Sequence, residues 1–257
     1  MQFLRTQLAQ FPFLENKLKS FYWFIQGLPQ VSNSKITKEI IQECIDKPNP
    51  TILEIGCNDG KHTLWLLEIF EKPKIYCFEP EPRAIAKFKE KVGQRSNVNL
   101  FEMAISDKNG NVTFYQSGGH VNKEAAQANP EGWDESGSIR QPKNHTVVMP
   151  WITFKETITV NSSTLDTWCK EHGIDVIDFI WMDVQGAEMD VFRGGQKTLK
   201  NTRFIYTEYS NRELYKGQYT LKKLLSQLRD FEVLIRYPGD VLLRNNKFTF
   251  SPNKTKK

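Results

Sequence analysis

The sequence holds no run of 18 or more apolar residues, so no segment is expected to cross a bilayer as a helix. Cysteine is scarce: Cys44, Cys57, Cys77 and Cys169 are the four in 257 residues. They form no C-x-x-C pair and no Cys/His set at zinc spacing, which excludes a zinc module and a dithiol redox motif. Cys57 and Cys77 lie in or beside apolar, strand-like runs and read as small buried hydrophobes in a reducing compartment. Neither G-x-G-x-x-G nor G-x-x-x-x-G-K-[ST] is present, so the pyrophosphate turn of a dinucleotide enzyme and the phosphate loop of a triphosphatase are both missing. A strong charge imbalance is lacking too. Lys+Arg 35 against Asp+Glu 30 leaves +5, and the one basic cluster is a tail over 251–257 with Lys254, Lys256 and Lys257. That pattern is a solvated end rather than the basic stripe of a nucleic-acid binder, so no nucleic acid is expected as a partner.

What is present is the composition of a soluble domain, 39% hydrophobic and 25% charged, in a chain long enough to bury a full core. Ile36, Ile40, Ile41, Cys44 and Ile45 recur at helical spacing over 35–46, with Ser34 as N-cap and Pro48 and Pro50 as the stop. Strands are then predicted at 51–55, 74–78 and 98–101, alternating with helices after Gly60 and after Pro82. Short strands at 112–115, 147–149 and 158–160 flank a Gly-, Asn-, Ser- and Pro-rich stretch, 116–146, which is expected to be a substrate loop or lid. Ser163 is expected to cap a helix that Gly173 stops. A strand at 177–182, a helix toward Leu199, a strand at 204–207, a leucine-striped helix at 221–228 and a hairpin over 232–244 complete the order.

This alternation predicts an α/β fold: a Rossmann-like, open, mostly parallel seven-stranded sheet, helices on both faces, and a C-terminal antiparallel hairpin. The domain spans 51–250, preceded by a helical appendage over 1–50. The first thirty residues crowd Phe3, Phe11, Phe13, Phe21, Tyr22, Trp23 and Phe24 among Arg5, Lys17 and Lys19. Interruptions by Gln7, Gln10, Pro12, Glu15 and Asn16 exclude a secretory signal. Three readings stay open for residues 1–30: helices packed on the domain, a homodimer contact, or a peripheral anchor at the membrane surface of a cytoplasmic protein.

In such sheets ligands bind beyond the carboxyl ends of the strands. The first predicted strand runs into Glu54-Ile55-Gly56-Cys57-Asn58-Asp59-Gly60, a turn whose glycines allow close backbone approach. The second ends at Glu79, a carboxylate able to accept from both hydroxyls of a ribose. Ribose without pyrophosphate fits S-adenosylmethionine. Asp183 and Glu208 end the strands that follow.

These residues resemble the FkbM family of S-adenosylmethionine-dependent methyltransferases. The resemblance rests on Ile52–Gly60, on Phe78-Glu79-Pro80, on 104–110 followed by 112–115, on Thr164-Leu165-Asp166, and above all on Met182-Asp183-Val184-Gln185-Gly186-Ala187-Glu188 with Gly194 and Leu199 behind it. It covers roughly 50–245; Glu54 and Cys57 stand where the family often has Asp and Ala. It implies that Glu54, Gly56, Asn58 and Gly60 hold the methionine end of the cofactor and Glu79 its ribose. It further implies that Ala104 and Ile105 border the adenine and that Gly137 and Ser138 form a small Ser-rich turn nearby.

Methyl transfer to a hydroxyl is above all a positioning problem that also needs a base or a metal. Asp183 is the first candidate base and Glu208 the second; together they would also suit one Mg²⁺. Asp183 as a helix cap is the competing structural role, and Glu188 either reaches substrate or pairs with a basic side chain. His62, His120 and His145 are further candidate groups near the site or on the lid. The resulting expectation is O-methylation of a hydroxyl on a sugar, glycan or secondary metabolite. The alternatives are a nucleotide-sugar or short-chain dehydrogenase, for which Tyr219 and Lys223 supply the Y-x-x-x-K spacing, and a non-catalytic cofactor-binding protein held at a membrane by its N-terminal segment.

Overall fold

The computed structural model describes residues 29, 31, 32 and 35–248; the aromatic segment through residue 28 and the basic tail over 251–257 lie outside the described residues. No described helix is long and apolar enough to cross a membrane. Helix α1 (Lys38–Ile45) is capped by Thr37, whose side chain accepts from the Ile40 amide; Ser34, the expected cap, lies outside the described residues. The order continues β1 (Thr51–Ile55), α2 (Lys61–Ile69), β2 (Lys74–Phe78), α3 (Pro82–Val92), β3 (Val98–Phe101), β4 (Ala104–Ser106) and β5 (Gly110–Gly118). It then runs α4 (Lys123–Ala128), α5 (His145–Val148), β6 (Thr153–Thr164), α6 (Leu165–Glu171), β7 (Ile177–Met182), α7 (Glu188–Gly194), a 3-10 turn (Thr198–Asn201), β8 (Thr202–Glu208), α8 (Leu221–Leu225), β9 (Phe231–Arg236) and β10 (Asp240–Asn245).

Seven strands form one sheet in the order β3-β2-β1-β7-β8-β10-β9. Only β10 runs against its neighbours β8 and β9, so the sheet is the expected open, mostly parallel one with a reversed strand from the closing hairpin. The two halves of the chain diverge between β1 and β7, which opens a crevice at their carboxyl ends. Side chains alternate across each strand. Leu53, Ile55, Ile180 and Met182 face the layer of α6, α7 and α8, while Ile52, Cys77, Phe179 and Trp181 face the layer of α1, α2 and α3. Ile41 and Ile45 of α1 are fully buried in the second layer, so this part of the 1–50 appendage belongs to the core.

Three local expectations differ from the structure. The stretch at 112–115 extends into the long strand β5, which pairs with β6 and, through β6, with β4 in a second, three-stranded sheet. Residues 147–149, read as a strand, sit at a helical turn: the Met149 amide donates to the His145 carbonyl and Val147 is 75% exposed. A run of three apolar residues carries too few positions to separate helix from strand. The helix after β6 takes Thr164, one residue beyond Ser163, as its cap; the Thr164 hydroxyl accepts from the Thr167 amide.

Candidate active site

At the carboxyl ends of β1 and β7 lies a cleft of about 380 Å³. Its floor is the glycine turn. Gly56 has φ +84°, and a β-carbon there would stand 1.8 Å from the Asp183 carbonyl oxygen. The Gly56 and Cys57 amides both donate to the Phe78 carbonyl, at 2.9 and 3.1 Å, which locks the turn onto β2. Asn58, with φ +44°, lines the cleft and sends its amide to Glu79 Oε2 at 2.8 Å. Gly60 lies behind this surface, at the start of α2, where a β-carbon would overlap Val92 and Phe88 of α3.

Glu79 is buried and lines the cleft; its other oxygen accepts from the Glu81 amide at 2.9 Å. Burial outweighs those two hydrogen bonds and raises its pKa to about 7. Phe78, Met103, Ala104, Ile105 and Phe114 supply an apolar wall. The opposite side comes from 133–139, within the stretch expected to be a lid. That stretch is anchored: Ser138 pairs with Tyr115 of β5, and the Trp133 indole donates to the Ser136 hydroxyl at 2.9 Å. The Ser138 hydroxyl donates to the Gln185 carbonyl at 2.8 Å, tying this wall to the loop after β7.

Asp183 and Glu208 both line the cleft. Gln185 joins them: its Nε2 lies 2.7 Å from Asp183 Oδ1 and 3.2 Å from Glu208 Oε2. The Tyr215 hydroxyl lies 3.1 Å from Gln185 Oε1 and 2.7 Å from the Ser136 carbonyl oxygen, which fixes the amide. Gln185 holds φ +50°, a strained value for a residue with a side chain. Burial, with the Asp183 charge beside it, pushes Glu208 well above the ordinary carboxylate range. The Asp183 side chain does not cap α7: Ala187 holds the N-cap position, and no side chain caps there.

Besides Gly60, two expected site residues, Glu54 and Glu188, lie away from the cleft surface. Glu54 follows the strand alternation to the α2 side, fully buried, where it accepts from the Thr63 hydroxyl. Burial raises its pKa to about 8. Glu188 is 2% exposed and folds back on its own turn, accepting from the Gly186 amide at 3.0 Å; burial raises it to about 7. His145 is buried against Phe154 and Tyr215, and His120 Nε2 meets the Asn129 carbonyl oxygen, so neither lines this cleft. Tyr219 and Lys223 are likewise absent from it, and Leu221 between them is fully buried. His62 does line it, its ring 4.6 Å from Trp181, and burial lowers its pKa against the pull of Asp183. Gln185 (although inside the Met182–Glu188 motif), Trp133 and Tyr215 take places at the site that no sequence pattern assigns them. The Trp in a stretch of Gly, Asn and Ser was the one available signal.

The cleft fits S-adenosylmethionine on its own features. A close-packed glycine floor, a buried carboxylate at the end of β2 and an apolar wall suit a methionine chain, a ribose and an adenine in turn. Asp183 in the lining adds a carboxylate whose sign suits a cationic sulfonium. Among the described residues, no group of three or more His, Cys, Asp or Glu side chains is placed to hold a metal ion.

Fold and site together define an S-adenosylmethionine-dependent methyltransferase. The sequence profile described as "Methyltransferase FkbM domain" matches residues 54–235, and the chain belongs to that family. It is 46% identical over 239 residues to the 2-O-methyltransferase NoeI of Sinorhizobium fredii (strain NBRC 101917 / NGR234), covering 91% of this chain and 94% of that one. Among solved structures it has distant likenesses. One is the N-methyltransferase NodS of Bradyrhizobium japonicum WM9, at TM-score 0.43 and 10% identity over 81% of this chain and 93% of that one. Another is Aeropyrum pernix fibrillarin with S-adenosyl-L-methionine, at TM-score 0.42 and 13% identity over 78% and 68%.

Proposed function

We propose that this methyltransferase acts on oxygen, on a hydroxyl of a sugar, a glycan or another small hydroxylated molecule. The observation that carries the reading is the carboxylate pair at the ends of β7 and β8, bridged by Gln185 beside the glycine turn. The 46% identity to a 2-O-methyltransferase supports the same choice of acceptor atom.

When bound, the cofactor supplies a methyl group on a positively charged sulfur, already activated for displacement. The chain's own residues then have three tasks. Gly56 and Asn58 let the backbone approach the methionine end, Glu79 accepts from the ribose hydroxyls, and Ala104 and Ile105 border the adenine with Ser138 closing the wall. Asp183 takes the proton as the acceptor oxygen forms its bond to the methyl carbon, and the electron pair of the broken carbon–sulfur bond stays on sulfur. Burial beside the Asp183 charge raises the Glu208 pKa well above the ordinary carboxylate range, which favours its protonated form beside Asp183. Gln185 keeps Asp183 in place by donating its amide N–H to it. Its amide stands between the two carboxylates where an Mg²⁺ would have to sit, and this favours proton transfer over metal activation. Glu54 and Glu188 act as supports, the first under the turn and the second within its own helix start.

The test is methyl transfer from labelled S-adenosylmethionine to a panel of hydroxylated and amino acceptors, with products read by mass spectrometry. Ether products with chelator present support the reading; N-methylated products alone contradict it.

A further inference from the structure

A second carboxylate stands behind Glu79. Glu81 lies two residues on, in the turn between β2 and α3, and its amide donates to Glu79 Oε1 at 2.9 Å. Glu79 is 6% exposed and Glu81 1%, so two carboxylates are buried side by side. The Glu81 charge opposes ionisation of Glu79. Among the described residues, Arg83 is the cation paired with Glu81. Its Nε lies 3.0 Å from Glu81 Oε1 and its Nη2 3.0 Å from Glu81 Oε2, a bidentate grip. Gln116 Nε2 donates to the same Oε1 at 2.8 Å.

The guanidinium is pinned in this contact. Its Nη2 also donates to the Ser117 carbonyl at 2.7 Å, and its Nη1 donates to the Glu131 carbonyl at 3.0 Å. Ser117 in turn holds the opposite wall of the cleft. Its hydroxyl donates to the Trp133 carbonyl at 3.0 Å and accepts from the Ser136 amide at 3.2 Å. One side chain thus spans the turn that carries Glu79 and the wall that faces it. The other titratable groups around Glu79 are Glu54 and Cys57, from β1 and the turn after it, and Asp134 from the wall. Asp134 has its own cation, Lys87, at 2.6 Å. Arg83 is therefore placed to offset Glu81 specifically.

We propose that Arg83 is a positioning residue for the cofactor, acting through Glu81: it fixes and offsets the Glu81 charge so that Glu79 meets the ribose hydroxyls as a carboxylate. The assignment rests on the placing of the ribose at Glu79 and adds to it the group that sets the pH range in which Glu79 works.

The experiment uses the full chain and titration calorimetry with S-adenosylhomocysteine from about pH 6 to about pH 9. Wild type, Arg83→Met, Arg83→Lys and Glu81→Gln are compared, with melting temperatures alongside. Wild-type affinity is expected to fall as pH drops through about 7. Arg83→Met leaves the Glu81 charge without its partner, so the midpoint of that fall should rise by about half a pH unit or more. Affinity is then about two- to fivefold weaker than wild type at pH 7 and equal to it at pH 9. Glu81→Gln leaves the Arg83 charge without its partner, so its midpoint should drop below that of wild type. Arg83→Lys keeps the charge and should stay nearest to wild type.

Arg83→Met and Glu81→Gln break the same ion pair, so a purely structural pair would affect both alike and at every pH. Midpoints displaced in opposite directions support the proposal. Midpoints unmoved, or moved the same way, would overturn the role of Arg83 and leave the ribose reading standing. Should Arg83→Met fail to fold, Glu81→Gln decides: a lowered midpoint supports the proposal and an unmoved one overturns it. Wild-type affinity that does not vary with pH over this range would overturn the ribose assignment and the proposal with it.

Discussion

Gly56 and Asp183 meet backbone to backbone: a β-carbon on the first would lie 1.8 Å from the carbonyl oxygen of the second. The glycine that shapes the turn on the cleft floor therefore also allows the strand carrying the candidate base to end beside it. Gly56→Ala adds strain at φ +84° to that overlap. The left-handed conformation alone costs roughly 1–2 kcal/mol. The expected outcome is a melting temperature lower by about 4 °C or more and loss of most cofactor affinity, read by calorimetry with S-adenosylhomocysteine. A variant that melts and binds like wild type would show that the two strands separate freely.

Glu79 gives the second expectation. Ribose hydroxyls donate to a carboxylate and so favour its ionised form, which lowers its pKa from about 7 on binding. Cofactor affinity is expected to be highest above pH 7, to fall as pH drops through that value, and to release protons measurable as a buffer-dependent binding enthalpy. Glu79→Ala is expected to weaken binding roughly 10- to 100-fold and to flatten the pH profile. A pH profile identical to wild type in that variant would exclude Glu79 from the ribose.

Stability should follow pH in a definite direction. Glu54, Glu79 and Glu188 have folded pKa values raised to about 8, 7 and 7, above the ordinary 4.5. The folded state therefore holds more protons than the unfolded chain between these values, and stability is lost as pH rises from about 5 to 8. Thermal melts of the ligand-free protein across that range are expected to show a falling midpoint. Glu54→Gln keeps an acceptor for the Thr63 hydroxyl and removes one ionisation. Its melting curve should be less steep in pH, with cofactor affinity within about threefold of wild type if Glu54 supports the turn from behind. A binding loss above 10-fold would return Glu54 to the methionine end.

The sheet was legible because its signals are local. Apolar runs of strand length, each followed by a glycine or acid and then a helical stripe, were enough to order β1, β2, β7 and β8. Glu79, Asp183 and Glu208 were legible for the same reason, since the last residue of a parallel strand faces the crevice whatever lies between. Glu54 was not, because being near the glycine turn in sequence says nothing about face. One residue before the strand's end, alternation carries it to the other layer. Gln185 was not, because its role depends on two carboxylates separated in sequence by an entire helix and strand. Nor was the wall at 133–139, whose residues are placed by pairing with β5 and by Tyr215 rather than by any period of their own.

The central claim is that Asp183 accepts the acceptor's proton without a metal. The direct measurement is turnover against pH for wild type and Asp183→Asn, with and without chelator, alongside cofactor affinity for both. The account expects Asp183→Asn to bind cofactor nearly as wild type does and to lose about 100-fold or more of turnover, with chelator changing neither protein. Wild-type turnover abolished by chelator and restored by Mg²⁺, or an Asp183→Asn variant that retains its rate, would contradict it.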